Sequence, residues 1–208
     1  QEQAGNVDLL AEIPAYLNNV SEHQYSNGNV VVSGWLRNMK VNVSPNGAKI
    51  KNSLTKYHLG NNLQELGRSG IEKAFESLSD ELHLPMKKSR VSAFHYAKNL
   101  PLSQEIECYL PYLGNNGRYK RYPSKRGINY RLTGRELALY DKIAEMKHNR
   151  EPIPPLYAGK HIMRIEKRYE NKVAAYFNRP LITASDLYNE AFYMEVMKDW
   201  QRDYNNIE

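Results

Sequence analysis

The feature that most constrains this chain is a two-residue alternation of apolar and polar side chains that recurs in segments far apart in sequence. In the stretch Leu137-Ala-Leu-Tyr-Asp-Lys142, Leu137, Leu139 and Ile143 alternate with Glu136, Ala138, Tyr140 and Lys142. Successive side chains of a strand point to opposite faces, so the leucines enter a core and Tyr140 stands on the other side. Residues 90–100 place Val91, Ala93, His95, Ala97 and Asn99 on one side, with Phe94 and Tyr96 on the other. Residues 161–169 put Arg164, Glu166 and Arg168 on a single face. Each has an ordinary explanation: an amphipathic surface tyrosine, a hydrogen-bonded structural histidine, and a solvated edge with paired charges. A phenol beside charged groups is also a candidate nucleophile, and the surrounding chain has to decide.

The remaining segments fit a mixed architecture. Leu9, Leu10, Ile13 and Leu17 have helical spacing interrupted by Pro14, which reads as a short helix or an ordered arm. From Gly28 the period shortens to two through Val30–Val32, Met39, Val41, Val43, Ala48 and Ile50. The Ser44-Pro-Asn-Gly47 turn predicts an antiparallel hairpin. Ser69 and Glu72 have capping-box spacing, and Ile71, Ala74, Phe75, Leu78 and Leu82 form a helical stripe that ends before Pro85 and packs on that hairpin. Thr183 and Asp186 cap a C-terminal helical stretch that buries Leu187, Phe192, Val196 and Trp200. Residues 151–155, Glu-Pro-Ile-Pro-Pro, form a stiff connector between strands.

At 208 residues the chain can bury a sizeable core. Its 29 Lys and Arg against 23 Asp and Glu give a formal charge of +6, which favours a polyanionic partner. The excess is concentrated: residues 115–150 hold ten basic side chains and three acidic ones. Tyr112, Tyr119, Tyr122 and Tyr130 are interleaved with these cations. Cations suit phosphates and flat rings suit unpaired bases, so Arg118, Lys120, Arg121, Lys125, Arg126, Tyr130, Arg131 and Arg135 are candidate nucleic-acid-binding residues. One cysteine, Cys108, excludes an intrachain disulfide framework and a thiolate zinc site. With no apolar run near the ~18 residues of a membrane span and no signal-peptide pattern, a soluble cytoplasmic protein is expected.

Five segments, in order, resemble the replication initiators of filamentous phages, of the gene II type, and related rolling-circle initiators of phages and plasmids. They are Lys51-Asn-Ser-Leu-Thr-Lys-Tyr-His-Leu-Gly-Asn-Asn62, Val91-Ser-Ala-Phe-His-Tyr-Ala-Lys-Asn-Leu100, Tyr109-Leu-Pro-Tyr-Leu-Gly114, Leu137-Ala-Leu-Tyr-Asp-Lys142 and Met163-Arg-Ile-Glu-Lys-Arg168. The resemblance implies that Tyr140 attacks a DNA phosphodiester, with Lys142 beside it and Arg164 on the Arg-hydrophobic-Glu strand. It implies that Glu166 helps hold a divalent metal, Mg2+ or Mn2+. The second metal strand of the family, Arg-hydrophobic-Asp, aligns with Ala93-Phe94-His95. Here His95 replaces the aspartate, and Asp141 is a substitute oxygen ligand.

The implied partners are origin DNA, single-stranded or in a hairpin, together with the host helicase and polymerase. The expected fold is α+β: an antiparallel, RRM-like sheet with helices on one face and the catalytic groups on the other. The expected organisation is an N-terminal arm (1–27), a nicking domain (28–180) and a C-terminal helical extension (181–208). Two other readings stay open at this point, a non-catalytic single-strand binder on the same fold and a tyrosine transposase or relaxase.

Overall fold

The computed structural model describes residues 8–208, so the first seven residues of the expected arm lie outside it. The chain divides into two compact units, Gln1–Lys87 and Lys88–Glu208. The strands fall in two antiparallel sheets, one in each unit, which with the helices gives the expected α+β class.

In the first unit, Asp8 accepts the N–H groups of Leu10 and Ala11 and starts α1 (Leu9–Glu12), which tightens into a 3-10 turn at Pro14. Four strands follow in a meander, β1 (Asn18–Gln24), β2 (Val30–Leu36), β3 (Met39–Ser44) and β4 (Gly47–Lys51), each paired with its sequence neighbour. The β3–β4 hairpin turns at Ser44–Gly47, as the Pro-Asn-Gly sequence requires. Strand β1 escapes sequence reading because all seven of its residues are exposed, so it has no apolar alternation. After α2 (Leu54–Leu59), capped by Ser53, comes α3 (Arg68–Leu82). Ala74, Leu78 and Leu82 of α3 are buried in the cluster that holds Val41 and Val43 of β3. Each fully buried leucine contributes about 1.5–3 kcal/mol. The expected capping box is absent: the N-cap is Gly67, and Ser69 lies inside the helix.

The second unit is built on a five-stranded antiparallel sheet of β5 (Phe94–Leu102), β6 (Lys120–Ser124), β7 (Gly127–Leu132), β8 (Arg135–Asp141) and β9 (His161–Tyr169), in the order β5-β9-β8-β7-β6. Strands β6, β7 and β8 form a meander. The chain then passes through α4 (Lys142–His148) and returns as β9 between β8 and β5. Ile128, Tyr130, Leu137, Leu139 and Ile165 form the covered face. Trp200 and Tyr204 of α6 (Glu190–Asn205) pack against it. At its β5 end, Phe94 and Tyr96 meet Val173 of α5 (Val173–Tyr176), Phe177 and Phe192. Thr183 and Asp186 do form the expected capping box, for a 3-10 turn, whereas α6 is capped by Asn189. The layers are those of an RRM-like sheet, with one face covered and one face open.

The covered face also holds a charged cluster. Lys167, fully buried, is ion-paired with Asp199 and lies 2.6 Å from Asp203, while Tyr169 and Tyr176 donate hydrogen bonds to Asp199 at 2.7 and 2.6 Å. A buried lysine is tolerable only with such partners.

Candidate active site

Register decides which side chains share the open face. Directly opposed residues of antiparallel strands project to the same side. Tyr140 of β8 opposes Arg164 of β9, which opposes Asn99 of β5; Ala138 opposes Glu166, which opposes Ala97; Glu136 opposes Arg168, which opposes His95. His95, Tyr140 and Glu166, separated by 45 and 26 residues, therefore meet on one surface.

Their contacts converge on one carboxylate. Glu166 Oε2 accepts the Tyr140 hydroxyl at 2.8 Å and Arg164 Nε at 2.9 Å. Its Oε1 accepts Arg168 Nε at 2.9 Å and lies 2.9 Å from His95 Nδ1. A carboxylate has about four lone-pair sites, and here each has a donor. His95 Nδ1 carries its hydrogen toward Glu166, which leaves Nε2 as the outward nitrogen of a ring 44% exposed. The network extends along the sheet: Arg168 Nη1 donates to Glu136 at 2.6 Å, and Arg131 Nε donates to the other oxygen of Glu136 at 2.7 Å.

The electrostatics follow from this packing. Burial raises the Tyr140 phenol above its ordinary value, the negative charge of Glu166 adds to that, and Arg164 opposes it. Burial also works against ionisation of Glu166, but His95, Arg164 and Arg168 outweigh it and hold the carboxyl far below the usual range. At neutral pH the resting pair is a protonated phenol on an ionised carboxylate.

Gly127 is required beside the phenol. A Cβ there would lie 2.5 Å from the Leu139 carbonyl oxygen and 2.9 Å from Tyr140 Cβ.

Other expected site residues stand elsewhere. Asp141 is the N-cap of α4, accepting the Ala144 N–H at 2.9 Å, because the helix that begins at Lys142 needs an acceptor at this position. On strand alternation it lies opposite Tyr140, away from His95 and Glu166. Lys142 is buried and ion-paired with Glu145 of α4.

The candidate DNA-binding residues divide by face. Lys120 and Arg131 oppose each other on the open face. Lys125 and Arg126 form the exposed β6–β7 turn, with Arg126 3.6 Å from Glu107, and Arg118 is exposed before β6. Tyr130 is fully buried and donates to the Gly114 carbonyl at 2.8 Å, so it offers no ring to a base. Arg121 donates to the Leu113 carbonyl at 3.1 Å, and the Arg135 guanidinium lies 4.0 Å from the Tyr176 ring centre. These three belong to the covered side, since each alternates with an open-face residue.

Arg168 and Glu136 are the functional candidates that motif reading passed over. The shared face of Arg164, Glu166 and Arg168 was legible, but the bridge to Glu136 depends on register.

For a divalent ion the donor set is lean. Among the described residues no three His, Cys, Asp or Glu side chains converge on one point. His95 and Glu166 are the expected donors, but in this arrangement every lone-pair site of Glu166 faces a hydrogen-bond donor and His95 Nδ1 points at the same carboxylate, so the pair offers no shared vacancy to an ion while Arg164 and Arg168 hold it.

One face of the sheet thus gathers cations, a phenol and an ionised carboxylate. The chain belongs to the phage family described as the N-terminal region of the replication-associated gene II protein, whose model matches residues 1–203. It is thus a replication-associated protein of the rolling-circle type, for which DNA is the implied partner. No curated protein and no solved structure matches it significantly. Among the described residues no helix is long and apolar enough to cross a membrane.

Proposed function

We propose that this protein nicks and rejoins DNA at an origin, with Tyr140 as the nucleophile. The Tyr140 oxygen forms a bond to the scissile phosphorus, the bond from phosphorus to the 3′-oxygen breaks, and the proton lost by the phenol is balanced by one gained at the leaving oxygen. The products are a 5′-phosphotyrosyl link and a 3′-OH that primes synthesis. Reversal rejoins the strand, because the link conserves the bond energy. The observation that carries this reading is the Tyr140 hydroxyl on the open face, 2.8 Å from Glu166 and flanked by Arg164 and Arg168.

The resting site holds the proton on the phenol, since Tyr140 is shifted up and Glu166 down. A phosphodiester that draws Arg164 and Arg168 toward its non-bridging oxygens weakens their hold on Glu166. The carboxylate then becomes a better proton acceptor at the moment the phosphate arrives. Were Arg164 and Arg168 drawn off to the phosphate, the freed Glu166 oxygens and His95 would be the donors for Mg2+ or Mn2+, which would supply Lewis-acid polarisation of the phosphate and lower the cost of forming a phenolate.

The test is incubation with single-stranded origin oligonucleotide and Mn2+, followed by a denaturing gel. A covalent adduct that is lost with chelator supports the reading. If the wild type shifts the oligonucleotide on a native gel yet forms no adduct, the protein is a non-catalytic single-strand binder. Strand transfer between two ends would indicate a transposase.

A further inference from the structure

The four tyrosines interleaved with the basic segment are sorted by the fold. Tyr119 and Tyr130 are buried, and Tyr112 lies outside the sheet in a 3-10 turn. Tyr122 is the one on the open face: it is 39% exposed on the edge strand β6 and opposes Asn129 of β7, which opposes Ala138 of β8. Its row therefore runs through Glu166 to Ala97, and Tyr140 stands in the adjoining row with Gly127 and Ser124. Two strand spacings, about 10 Å, separate β6 from β8.

Two cations lie close to the ring. Lys120 Nζ lies 5.4 Å and Arg131 Cζ 5.1 Å from its centre. These two residues oppose each other, so both flank Tyr122 from the same row. The other flank is the row of Ser124, Gly127 and Tyr140, which begins with a small side chain and then has none. Between the Tyr122 and Tyr140 positions, Gly127, Asn129 and Ala138 place only short side chains or none on this face, and Gly127 and Ala138 are buried beneath their neighbours. A part-exposed ring with two cations beside it, on the same sheet face as the Tyr140 phenol, has the features of a single-strand stacking platform.

We propose that Tyr122 stacks an unpaired nucleobase of the strand whose phosphate lies at Tyr140, while Lys120 and Arg131 hold a neighbouring phosphate. This subsite rests on the reading of the open face as the DNA-processing surface. It deepens that reading by naming the ring on which the base stacks. Stacking on a π-face tolerates any base, so the subsite contributes affinity without sequence preference.

The experiment uses the Tyr140→Phe chain, which lacks the proposed nucleophile, and two labelled probes. One is a twelve-nucleotide thymidine strand; the other is a chain of twelve abasic residues with the same phosphates. Anisotropy titrations give the ratio of the two dissociation constants, which isolates the contribution of the bases. Adding Tyr122→Ala is expected to weaken thymidine binding roughly 5- to 150-fold and to leave abasic binding nearly unchanged. Adding Tyr122→Phe should retain the original ratio. Equal losses on both probes would mean that Tyr122 merely positions Lys120 and Arg131, and unchanged thymidine binding would remove the subsite altogether. Thermal melting shows whether each variant is folded. Failure of Tyr140 as nucleophile appears in the adduct assay and leaves these affinities untouched, so the two claims fall separately.

Discussion

Replacing Glu166 by glutamine keeps the shape of the side chain and removes the charge on which the site converges. Two guanidiniums, a phenol and an imidazole donate to or contact that carboxylate. Glutamine offers one accepting oxygen and turns an N–H donor toward groups that are themselves donors. Each charge-assisted hydrogen bond is worth about 1.5–3 kcal/mol. The loss is not a full sum, because Arg168 keeps Glu136 at 2.6 Å and Arg164 keeps Asn99 at 3.3 Å. A net destabilisation of about 3 kcal/mol is expected, which for a unit of this size lowers Tm by roughly 10 °C.

Activity should fall further than stability explains. Loss of a proton acceptor costs on the order of 10²- to 10⁴-fold in rate. Removing the negative charge beside Tyr140 also relaxes part of the upward shift of the phenol. The residual single-turnover rate of adduct formation should therefore climb with pH across the alkaline range. Single-turnover adduct assays from pH 6 to 10, at a temperature where the variant is folded, measure both effects. A Glu166→Gln chain that forms adduct at the wild-type rate, with the wild-type pH profile, would refute the proton-acceptor role.

Gly127→Ala should cost about 1–3 kcal/mol by overpacking against the Leu139 carbonyl and Tyr140, measured by urea unfolding; a neutral result would show that the turn shifts freely. Lys167→Met should cost about 3–5 kcal/mol, because it leaves Asp199 and Asp203 facing each other without their buried cation. Thermal melting would detect it, and an unchanged Tm would contradict the pairing. Tyr119, Tyr140 and Tyr169 are all shifted up, first by burial and then by neighbouring carboxylates. Their folded values exceed the unfolded value of about 10, so their contribution is complete below pH 10 and is lost as pH rises beyond it. The urea midpoint should drop between pH 9 and 11; a flat profile would overturn those placements.

Much of this molecule is legible from alternation alone. Strands β8 and β9 stand where Leu137–Lys142 and residues 161–169 place them, and the opposition of Tyr140 to the leucines is a matter of parity. Three things are not legible, each for a physical reason. Strand β1 is held by pairing and not by burial, so its composition resembles a loop. The meander of β6 and β7 is disguised by its cations, and reading that stretch as a basic groove hides the parity that sends Tyr130, Arg121 and Arg135 to the covered side. Asp141 has a carboxylate in a suggestive position, but the start of a helix claims it. The convergence of four donors on Glu166 depends on the register of three strands, which no local sequence pattern carries.

The most direct measurement is the site of covalent attachment. Trypsin cleaves after Arg135 and Lys142, so Tyr140 falls in the peptide Glu136–Lys142. After reaction with origin oligonucleotide and nuclease trimming, mass spectrometry should find a phosphodeoxynucleotide on that peptide, at Tyr140, and none in the Tyr140→Phe chain. Attachment at another tyrosine, or an adduct that survives Tyr140→Phe, would contradict the assignment of the nucleophile.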